Sequence, residues 1–193
     1  MSAPATAPAT APAVRRIGLV GGEGSGKSTL ATALATALPA CAVDESLRAF
    51  VDRAGRPPTR EEQAAVLGEQ ARREDQAALA CPHPWLVADP APLMTAVYSV
   101  VYFGDDSLLA PGLAQAAGYD LVVWCRPDFP WVPDGIQRDG SHLRDEADVI
   151  IGGLVRTELV PRGIRVVEAH GDTHHRVAAV GRAWQRRGPH RPT

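Results

Sequence analysis

Short apolar segments alternate with longer segments of helical periodicity along this chain. The apolar segments are hydrophobic on both faces, as the strands of a covered parallel sheet are, and they predict strands at 17–20, 41–43, 85–88, 121–124 and 164–167. The periodic segments between them predict helices at 27–38, about 61–80, 93–102, 107–117, 141–158 and 173–185. This alternation is typical of a three-layer α/β fold in which crossover helices cover a five-stranded parallel sheet.

The two ends of the chain differ from its centre in composition. Residues 1–13 are an Ala/Pro/Thr repeat without a bulky side chain to bury, so we expect a disordered tail. Residues 188–193 are polar and interrupted by proline, which predicts a flexible tail. Because one domain usually has about 100–200 residues, we expect a single domain over residues 14–187.

Charge and apolar content restrict the classes of function. The 193-residue chain has a formal net charge of −2, whereas a nucleic-acid-binding domain is usually strongly basic, so we expect no nucleic acid partner. No apolar run approaches the roughly 20 residues that span a bilayer, and the first residues lack the charged and apolar regions of a signal peptide. We therefore expect a cytoplasmic protein without a membrane partner, and the oligomeric state stays open.

The three cysteines, Cys41, Cys81 and Cys125, are odd in number and far apart in the chain. None of them has the CxxC spacing of a zinc site or a redox pair. We therefore predict that all three are reduced thiols.

A phosphate-binding motif follows the first predicted strand. Residues 21–28 read GGEGSGKS and match the pattern GxxxxGK[ST]. Glycines let the backbone turn its N–H groups toward phosphate oxygens, and the helix that follows adds its positive end. In such a loop Lys27 contacts the β and γ phosphates and the Ser28 hydroxyl binds Mg²⁺, so we predict ATP and Mg²⁺ as cofactors. The candidate nucleotide-binding residues are Gly22, Glu23, Gly24, Ser25, Gly26, Lys27, Ser28 and Thr29.

Further segments occur in an order that resembles a known family. Residues 119–123 (YDLVV) lead into 128–135 (DFPWVPDG), and supporting segments lie at 44–48 (DESLR), 68–70 (GEQ) and 89–104. Over about residues 15–187 the chain resembles the ribosylnicotinamide kinase domain of NadR-type proteins, within the P-loop nucleoside and nucleotide kinases and the wider AAA-type ATPases. The resemblance implies a nucleoside-kinase-like P-loop NTPase fold with a lid segment.

Asp89 ends the predicted strand 85–88, where a carboxylate lies beside the phosphate loop. A carboxylate in that place can hold Mg²⁺ through water or accept the proton of the acceptor hydroxyl. We therefore predict a catalytic or magnesium-associated role for Asp89. The alternative is that Asp89 caps a helix that begins at Ala91.

Three charged residues follow the second predicted strand, at the edge of the sheet where open α/β folds bind their ligands. These are Asp44, Glu45 and Arg48. We predict that they bind the acceptor, with Glu45 near the sugar hydroxyls and Arg48 near the reacting phosphoryl group, as the resemblance also implies. The alternative is a helix cap at Asp44 with a surface ion pair beside it.

A proline-bracketed loop contains Trp131, whose flat ring is available for stacking. A cationic nicotinamide ring could stack there through a cation–π contact, and Asp134 could hydrogen-bond the nucleoside. We predict that both residues bind the substrate. The alternative is a core tryptophan that anchors the loop.

The charged, glycine-interrupted segment 137–146 leads into a predicted helix, as the mobile lid of a small kinase does. Arg138 and Arg144 are the candidate catalytic residues there, because a lid arginine stabilises negative charge on the transferred phosphoryl group and helps exclude water. Which of the two has the main role stays open. The alternative is a solvated, charged helix start.

The segment after the fifth predicted strand corresponds, by the resemblance, to the loop that contacts adenine in P-loop kinases. The resemblance places Arg176 near the base. His170, His174 and His175 lie in the same segment, but their neighbours include no additional cysteine or carboxylate at ligand spacing on an apolar scaffold, so we predict no zinc site.

Three functions remain in view. The first is a kinase that transfers the γ-phosphoryl group of MgATP to the 5′-hydroxyl of a nucleoside, with ribosylnicotinamide as the leading acceptor and NMN as the product. The second is a kinase for another small nucleoside or a vitamin precursor, because pocket residues change while the phosphate machinery is kept. The third is a regulatory ATPase module that phosphorylates no metabolite.

Overall fold

The predicted strands form one parallel sheet. A computed structural model of the chain describes residues 14–130 and 141–185. Its strands are β1 (Arg15–Val20), β2 (Ala40–Val43), β3 (Trp85–Ala88), β4 (Leu121–Cys125) and β5 (Val166–Ala169). They pair in the order β2–β3–β1–β4–β5, with Gly18 in β1 opposite Ala88 on one side and Val122 on the other. The predicted five-stranded parallel sheet is therefore confirmed.

The last strand lies two residues further along the chain than the predicted range of 164–167. Ile164 is apolar and buried, as a strand residue would be. Its N–H, however, donates to the carbonyl of Leu159 at 3.0 Å, so Ile164 belongs to the turn before β5. Apolar character alone does not distinguish these two environments.

Helices connect the strands, and most of them match the periodic segments of the sequence. They are α1 (Lys27–Ala37), α2 (Ser46–Ala54), α3 (Gln63–Ala80), α4 (Leu93–Phe103), α5 (Leu109–Ala116), α6 (Ser141–Leu154) and α7 (Thr173–Gln185), and a π-helical turn (Val155–Leu159) extends α6. Helix α2 was not predicted, although Leu47, Phe50 and Val51 have helical spacing. Gly55 ends this helix in the left-handed conformation. None of the helices in the described residues is long and apolar enough to cross a membrane.

The helices cover both faces of the sheet. Helices α1 and α7 pack on one face around Leu30, Leu34 and Val180, and α3 to α6 pack on the other around Met94 and Ile151. Because β1 leads to α1 on one face and β3 leads to α4 on the other, the chain diverges at the carboxyl ends of these two neighbouring strands. Open α/β sheets bind ligands at such a point.

The prediction that all three cysteines are reduced thiols is wrong. Cys41 and Cys81 form a disulfide across 40 positions of sequence, with their Cα atoms 6.0 Å apart. Cys41 lies in β2 and Cys81 shortly precedes β3, which pairs directly with β2 and sets Cys41 opposite Leu86. Parallel pairing therefore brings together two residues that sequence spacing separates. Cys125 is a buried free thiol, and burial raises its pKa to about 11.

Candidate active site

The phosphate-binding motif forms the turn between β1 and α1. Gly24 and Gly26 adopt left-handed φ angles of 68° and 81°, which favour glycine. Lys27 Nζ donates to the carbonyl oxygens of Gly21 and Gly22 at 2.8 and 3.0 Å, so the ammonium group lies inside the loop. Gly26 has no side chain with which to cap α1, so the first N–H groups of the helix can donate to an anion.

The other motif residues differ in exposure. Ser28 and Thr29 are exposed in the first turn of α1, and Gly24 is exposed at the tip of the loop. Ser25 is fully buried, so only its backbone can face a phosphate group. The loop therefore presents backbone groups, Lys27 and the Ser28 hydroxyl to a ligand.

Asp89 lies at the divergence point between β3 and β1. Its side chain is 8% exposed, and Oδ1 is buried without a hydrogen bond from any group in the described part of the chain. Its N–H donates to the carbonyl of Val43 at 3.0 Å, which joins the ends of β2 and β3. Helix α4 begins at Leu93 with Pro92 at its N-cap, so Asp89 does not cap it.

The residues after β2 bring a second carboxylate to the site. Glu45 is the N-cap residue of α2, and burial raises the pKa of its carboxyl group. The positive charge of Lys27 lowers this pKa, and the negative charge of Asp89 raises it further. The charged groups of Glu45, Lys27 and Asp89 therefore share one electrostatic environment. Asp44 and Arg48 are exposed beside it. Because Glu45 is the N-cap residue, the alternative of an Asp44 cap is wrong.

Helix α6 begins against the phosphate loop. A Cβ atom on Gly22 would lie 2.7 Å from the Arg144 backbone oxygen and 2.9 Å from its Cγ, so only glycine fits this contact. The Arg144 guanidinium donates to the carbonyl of Phe129 at 3.0 Å. The backbone and Cγ of Arg144 therefore lie against the phosphate loop, its guanidinium contacts Phe129, and its role as a lid arginine stays a prediction. Trp131, Asp134 and Arg138 lie outside the described residues, and their roles stay predictions.

The oxygen atoms in this crevice suit a magnesium ion. Mg²⁺ prefers oxygen ligands and usually keeps several waters, so it is bound by few protein groups. The Ser28 hydroxyl and the unpartnered Asp89 Oδ1 are donors of that kind. These residues fit the predicted cofactor.

Comparisons with known proteins identify the family of the chain and structures that share its fold. A family model described as AAA domain matches residues 16–176, which is most of the chain. The chain belongs to this AAA domain family. No curated protein sequence matches the chain significantly.

Several solved structures share the fold of this AAA domain. The NadR protein in complex with NAD and AMP-PNP aligns with a TM-score of 0.70 at 18% identity, over 94% of this chain and 52% of that one. The chain therefore spans about half the length of NadR. Deoxyadenosine kinase from M. mycoides with bound dATP aligns with a TM-score of 0.59 at 14% identity, over 88% of this chain and 99% of that one. Thymidylate kinase from Candida albicans aligns with a TM-score of 0.57 at 12% identity, over 89% and 91% of the two chains.

Arg176 lies beneath the phosphate loop. The residue is 1% exposed, and its guanidinium donates to the carbonyl oxygens of Ser25, Arg126 and Gly171 at 2.6 to 2.8 Å. The guanidinium also lies over the Phe129 ring, 4.6 Å from its centroid. Arg176 thus joins three loops at the carboxyl edge of the sheet, and contact with adenine stays a prediction. Phe129 was not among the predicted site residues, although an aromatic residue just after a strand could have indicated a place in the site.

The histidine segment of the AAA domain does include a carboxylate at ligand distance. Asp172, His174 and His175 are exposed, and their ligand atoms lie within 4.8 Å of one another. Asp172 Oδ1 accepts hydrogen bonds from the backbone and the ring of His175 at 2.9 and 2.8 Å. Asp172 therefore caps the positive end of α7, a place that disfavours a cation.

Proposed function

We propose that this chain is an ATP-dependent kinase that transfers the γ-phosphoryl group of MgATP to the 5′-hydroxyl of a nucleoside, with ribosylnicotinamide as the leading acceptor. One observation carries the proposal. A buried carboxylate with an unpartnered oxygen, Asp89, lies at the edge of the sheet where the phosphate loop begins. A second carboxylate, Glu45, interacts electrostatically with both Lys27 and Asp89, which supports an acceptor pocket beside the phosphate loop.

Binding of the nucleotide would begin at the phosphate loop. Lys27 Nζ would exchange the carbonyls of Gly21 and Gly22 for the β and γ phosphate oxygens, which carry more negative charge. The backbone N–H groups from Gly22 to Thr29 would donate to the same phosphates. The Ser28 hydroxyl and Asp89 would hold Mg²⁺, whose charge offsets the negative charge that develops during transfer.

Transfer needs an oriented hydroxyl group and a proton acceptor. The acceptor's 5′ oxygen forms a bond to the γ phosphorus while the bond between that phosphorus and the β–γ bridging oxygen breaks, and ADP leaves. As the base, the Asp89 carboxylate would accept the hydroxyl proton; in its alternative role it would hold Mg²⁺ through water. Arg144, and Arg138 by prediction, would stabilise the charge on the phosphoryl group in flight.

The acceptor would lie on the β2 side of the phosphate loop. Asp44, Glu45 and Arg48 are the charged groups there, and a carboxylate suits ribose hydroxyls. Trp131 would stack on the base and Asp134 would hydrogen-bond the nucleoside. A cationic nicotinamide ring gains most from such stacking, which supports ribosylnicotinamide as acceptor.

A panel assay of ADP release tests the proposal. MgATP is combined in turn with nicotinamide riboside, deoxyadenosine, thymidine and a thiamine-like alcohol, and the phosphorylated product is identified by mass. We expect the highest kcat/KM with nicotinamide riboside. The alignment with deoxyadenosine kinase keeps a different nucleoside as the second candidate, and a preference for it would replace ribosylnicotinamide.

A flat response across the panel would contradict the kinase proposal. ADP release that no acceptor stimulates would instead favour a regulatory ATPase module. Trp131→Ala separates the acceptor question from the nucleotide question, because it should raise the KM for nicotinamide riboside and leave the KM for ATP unchanged.

A further inference from the structure

Two polar residues of α3 are buried although the proposed chemistry does not use them. Gln70 is 3% exposed and Glu74 is 2% exposed. Burial of a polar side chain costs free energy unless the group is hydrogen-bonded. Both side chains are hydrogen-bonded, and their partners lie on other elements of the fold.

The bonds form a continuous path across the molecule. Gln70 Oε1 accepts the backbone N–H of Ser46 at 2.8 Å, and Gln70 Nε2 donates to Glu74 Oε1 at 3.3 Å. Tyr119 Oη donates to Glu74 Oε2 at 2.7 Å. The path therefore runs from the first residue of α2, through α3, to the segment that precedes β4.

The far end of this path, Tyr119, is buried. The Tyr119 ring lies against β1, and a Cβ atom on Gly18 would lie 2.8 Å from it. Burial raises the pKa of the Tyr119 hydroxyl well above its ordinary value, so the hydroxyl keeps its proton and can donate to Glu74. Since β1 leads directly into the phosphate loop, the path is anchored to the strand that carries the nucleotide site.

The near end of the path fixes a site residue. Ser46 begins α2, and its N-cap residue Glu45 makes no side-chain cap bond, so Gln70 caps the helix from α3 instead. The N–H that Gln70 holds belongs to the peptide plane between Glu45 and Ser46. A bond to this plane restricts the Glu45 backbone, and the Glu45 carboxyl group shares its electrostatic environment with Lys27 and Asp89.

We infer that Gln70 is a positioning residue that holds the Glu45–Ser46 peptide plane, and with it the acceptor side of the site, in place against the phosphate loop. The inference rests on the proposed function for the identity of the acceptor. Gln70 itself touches neither substrate; it acts through Glu45. Glu74 orients the Gln70 amide by accepting its N–H, and Tyr119 holds Glu74 by donating to its other carboxylate oxygen.

Two variants and one control test the inference. Gln70→Leu removes the acceptor for the Ser46 N–H at nearly constant volume. The double variant Gln70→Glu/Glu74→Gln reverses the pair and keeps every bond, because the carboxylate at 70 accepts from Ser46 and from the amide at 74, whose oxygen accepts from Tyr119. Gln76→Leu, at an exposed position of the same helix, is the matched control.

The readouts are the KM values for nicotinamide riboside and for ATP, and hydrogen exchange of the Ser46 amide. Assays at pH 8 keep Glu74 mostly ionised, because burial raises its pKa only to about 7. We expect Gln70→Leu to raise the acceptor KM about tenfold, the size of one lost hydrogen bond, with the ATP KM changed less than about twofold. The Ser46 amide should exchange faster, and the double variant should restore both readouts.

Several outcomes would overturn the inference. An unchanged acceptor KM in Gln70→Leu would do so, as would equal changes in both KM values, which indicate a merely structural role. If Gln70→Leu does not fold, the double variant decides, and a raised acceptor KM there contradicts the inference. If the wild-type protein phosphorylates no acceptor of the panel, the proposed function fails by itself. Ser46 amide exchange then tests Gln70 alone, and an unchanged rate in Gln70→Leu overturns its positioning role.

Discussion

Asp89 combines burial with an oxygen that no group in the described residues satisfies. An unpartnered buried carboxylate oxygen costs free energy, and proteins retain such groups mainly where a ligand or a reaction completes them. Its place beside β1 gives it access to the end of the phosphate loop. At the scale of single residues, Asp89 is therefore the strongest candidate for chemistry.

Asp89→Asn should lower kcat by about 10²- to 10⁴-fold, because the amide cannot accept the hydroxyl proton. The fold should tolerate the change, since the residue makes its backbone bond to Val43 in either form. The measurement is kcat with the preferred acceptor, together with the melting temperature. Asp52→Asn, at an exposed position of α2, is the control and should change neither. A kcat within a few-fold of the wild type would remove Asp89 from the proton transfer.

Arg176 has a structural role that its position in the sequence did not indicate. The resemblance implies a contact with adenine, whereas the guanidinium donates to three backbone carbonyls under the phosphate loop. An arginine so buried contributes through these bonds, and its removal leaves their carbonyl groups without a donor. Its first role is to hold the three loops together.

Arg176→Met should lower the free energy of unfolding by about 2–4 kcal/mol, since charge-assisted hydrogen bonds are lost from a buried site. Urea unfolding measures this change. Arg182→Met, at an exposed position of the same helix, should alter it by less than about 0.5 kcal/mol. A variant with wild-type stability and weakened ATP binding would instead favour the adenine contact.

Asp148 links helix α6 to the end of β4, in addition to the apolar contacts between them. Asp148 accepts the indole N–H of Trp124 at 2.8 Å and pairs with Arg126 at 3.1 Å, and Arg126 lies over the Trp124 ring. Arg144 is one helical turn before Asp148 and so lies on the same face of α6. At the scale of elements, this attachment determines where the first turn of α6 meets Gly22 in the phosphate loop.

Asp148→Ala should raise the KM for ATP about five- to tenfold, because the start of α6 loses both its hydrogen bond and its ion pair. ATP titration of the kinase activity measures this, and Glu146→Ala, at an exposed position of the same helix, is the control. Loss of stability with an unchanged ATP KM would mean that Asp148 serves the fold alone.

The stability of the whole molecule should depend on pH through Glu74. Burial raises the pKa of this carboxyl group from its ordinary value of 4.5 to about 7, although hydrogen bonds from Tyr119 and Gln70 act against the rise. A raised pKa in the folded state means that the contribution to stability is fully present below about pH 4.5 and is lost as the pH rises through about 7. The carboxyl groups of Glu62 and Asp105, with pKa values of about 2, titrate below this window.

The free energy of unfolding should therefore fall by about 2–3 kcal/mol between pH 5 and pH 8, almost all of it below about pH 7, where the slope approaches roughly 1.4 kcal/mol per pH unit. Glu74→Gln should remove most of this slope, because the amide does not titrate. Urea unfolding at several pH values compares the two proteins. The same slope in both would show that another group causes it; Glu45, whose pKa is also raised by burial, would be the first to examine.

Local patterns account for the parts of this molecule that the sequence alone determined. The phosphate loop was predictable because its glycines, Lys27 and Ser28 act within one continuous segment between β1 and α1. The parallel sheet was predictable because strands covered on both faces must be apolar on both faces. The positions of Asp89 and Glu45 followed from the rule that ligands bind where such strands end.

Contacts between distant segments were decided only by the tertiary structure. The Cys41–Cys81 disulfide depends on the pairing of β2 with β3, and the place of Arg176 depends on three loops that meet at one edge of the sheet. Gln70 caps a helix 24 positions away from it in the chain. Sequence spacing does not encode such neighbours, because each contact requires two elements to be packed in a particular register before their side chains meet.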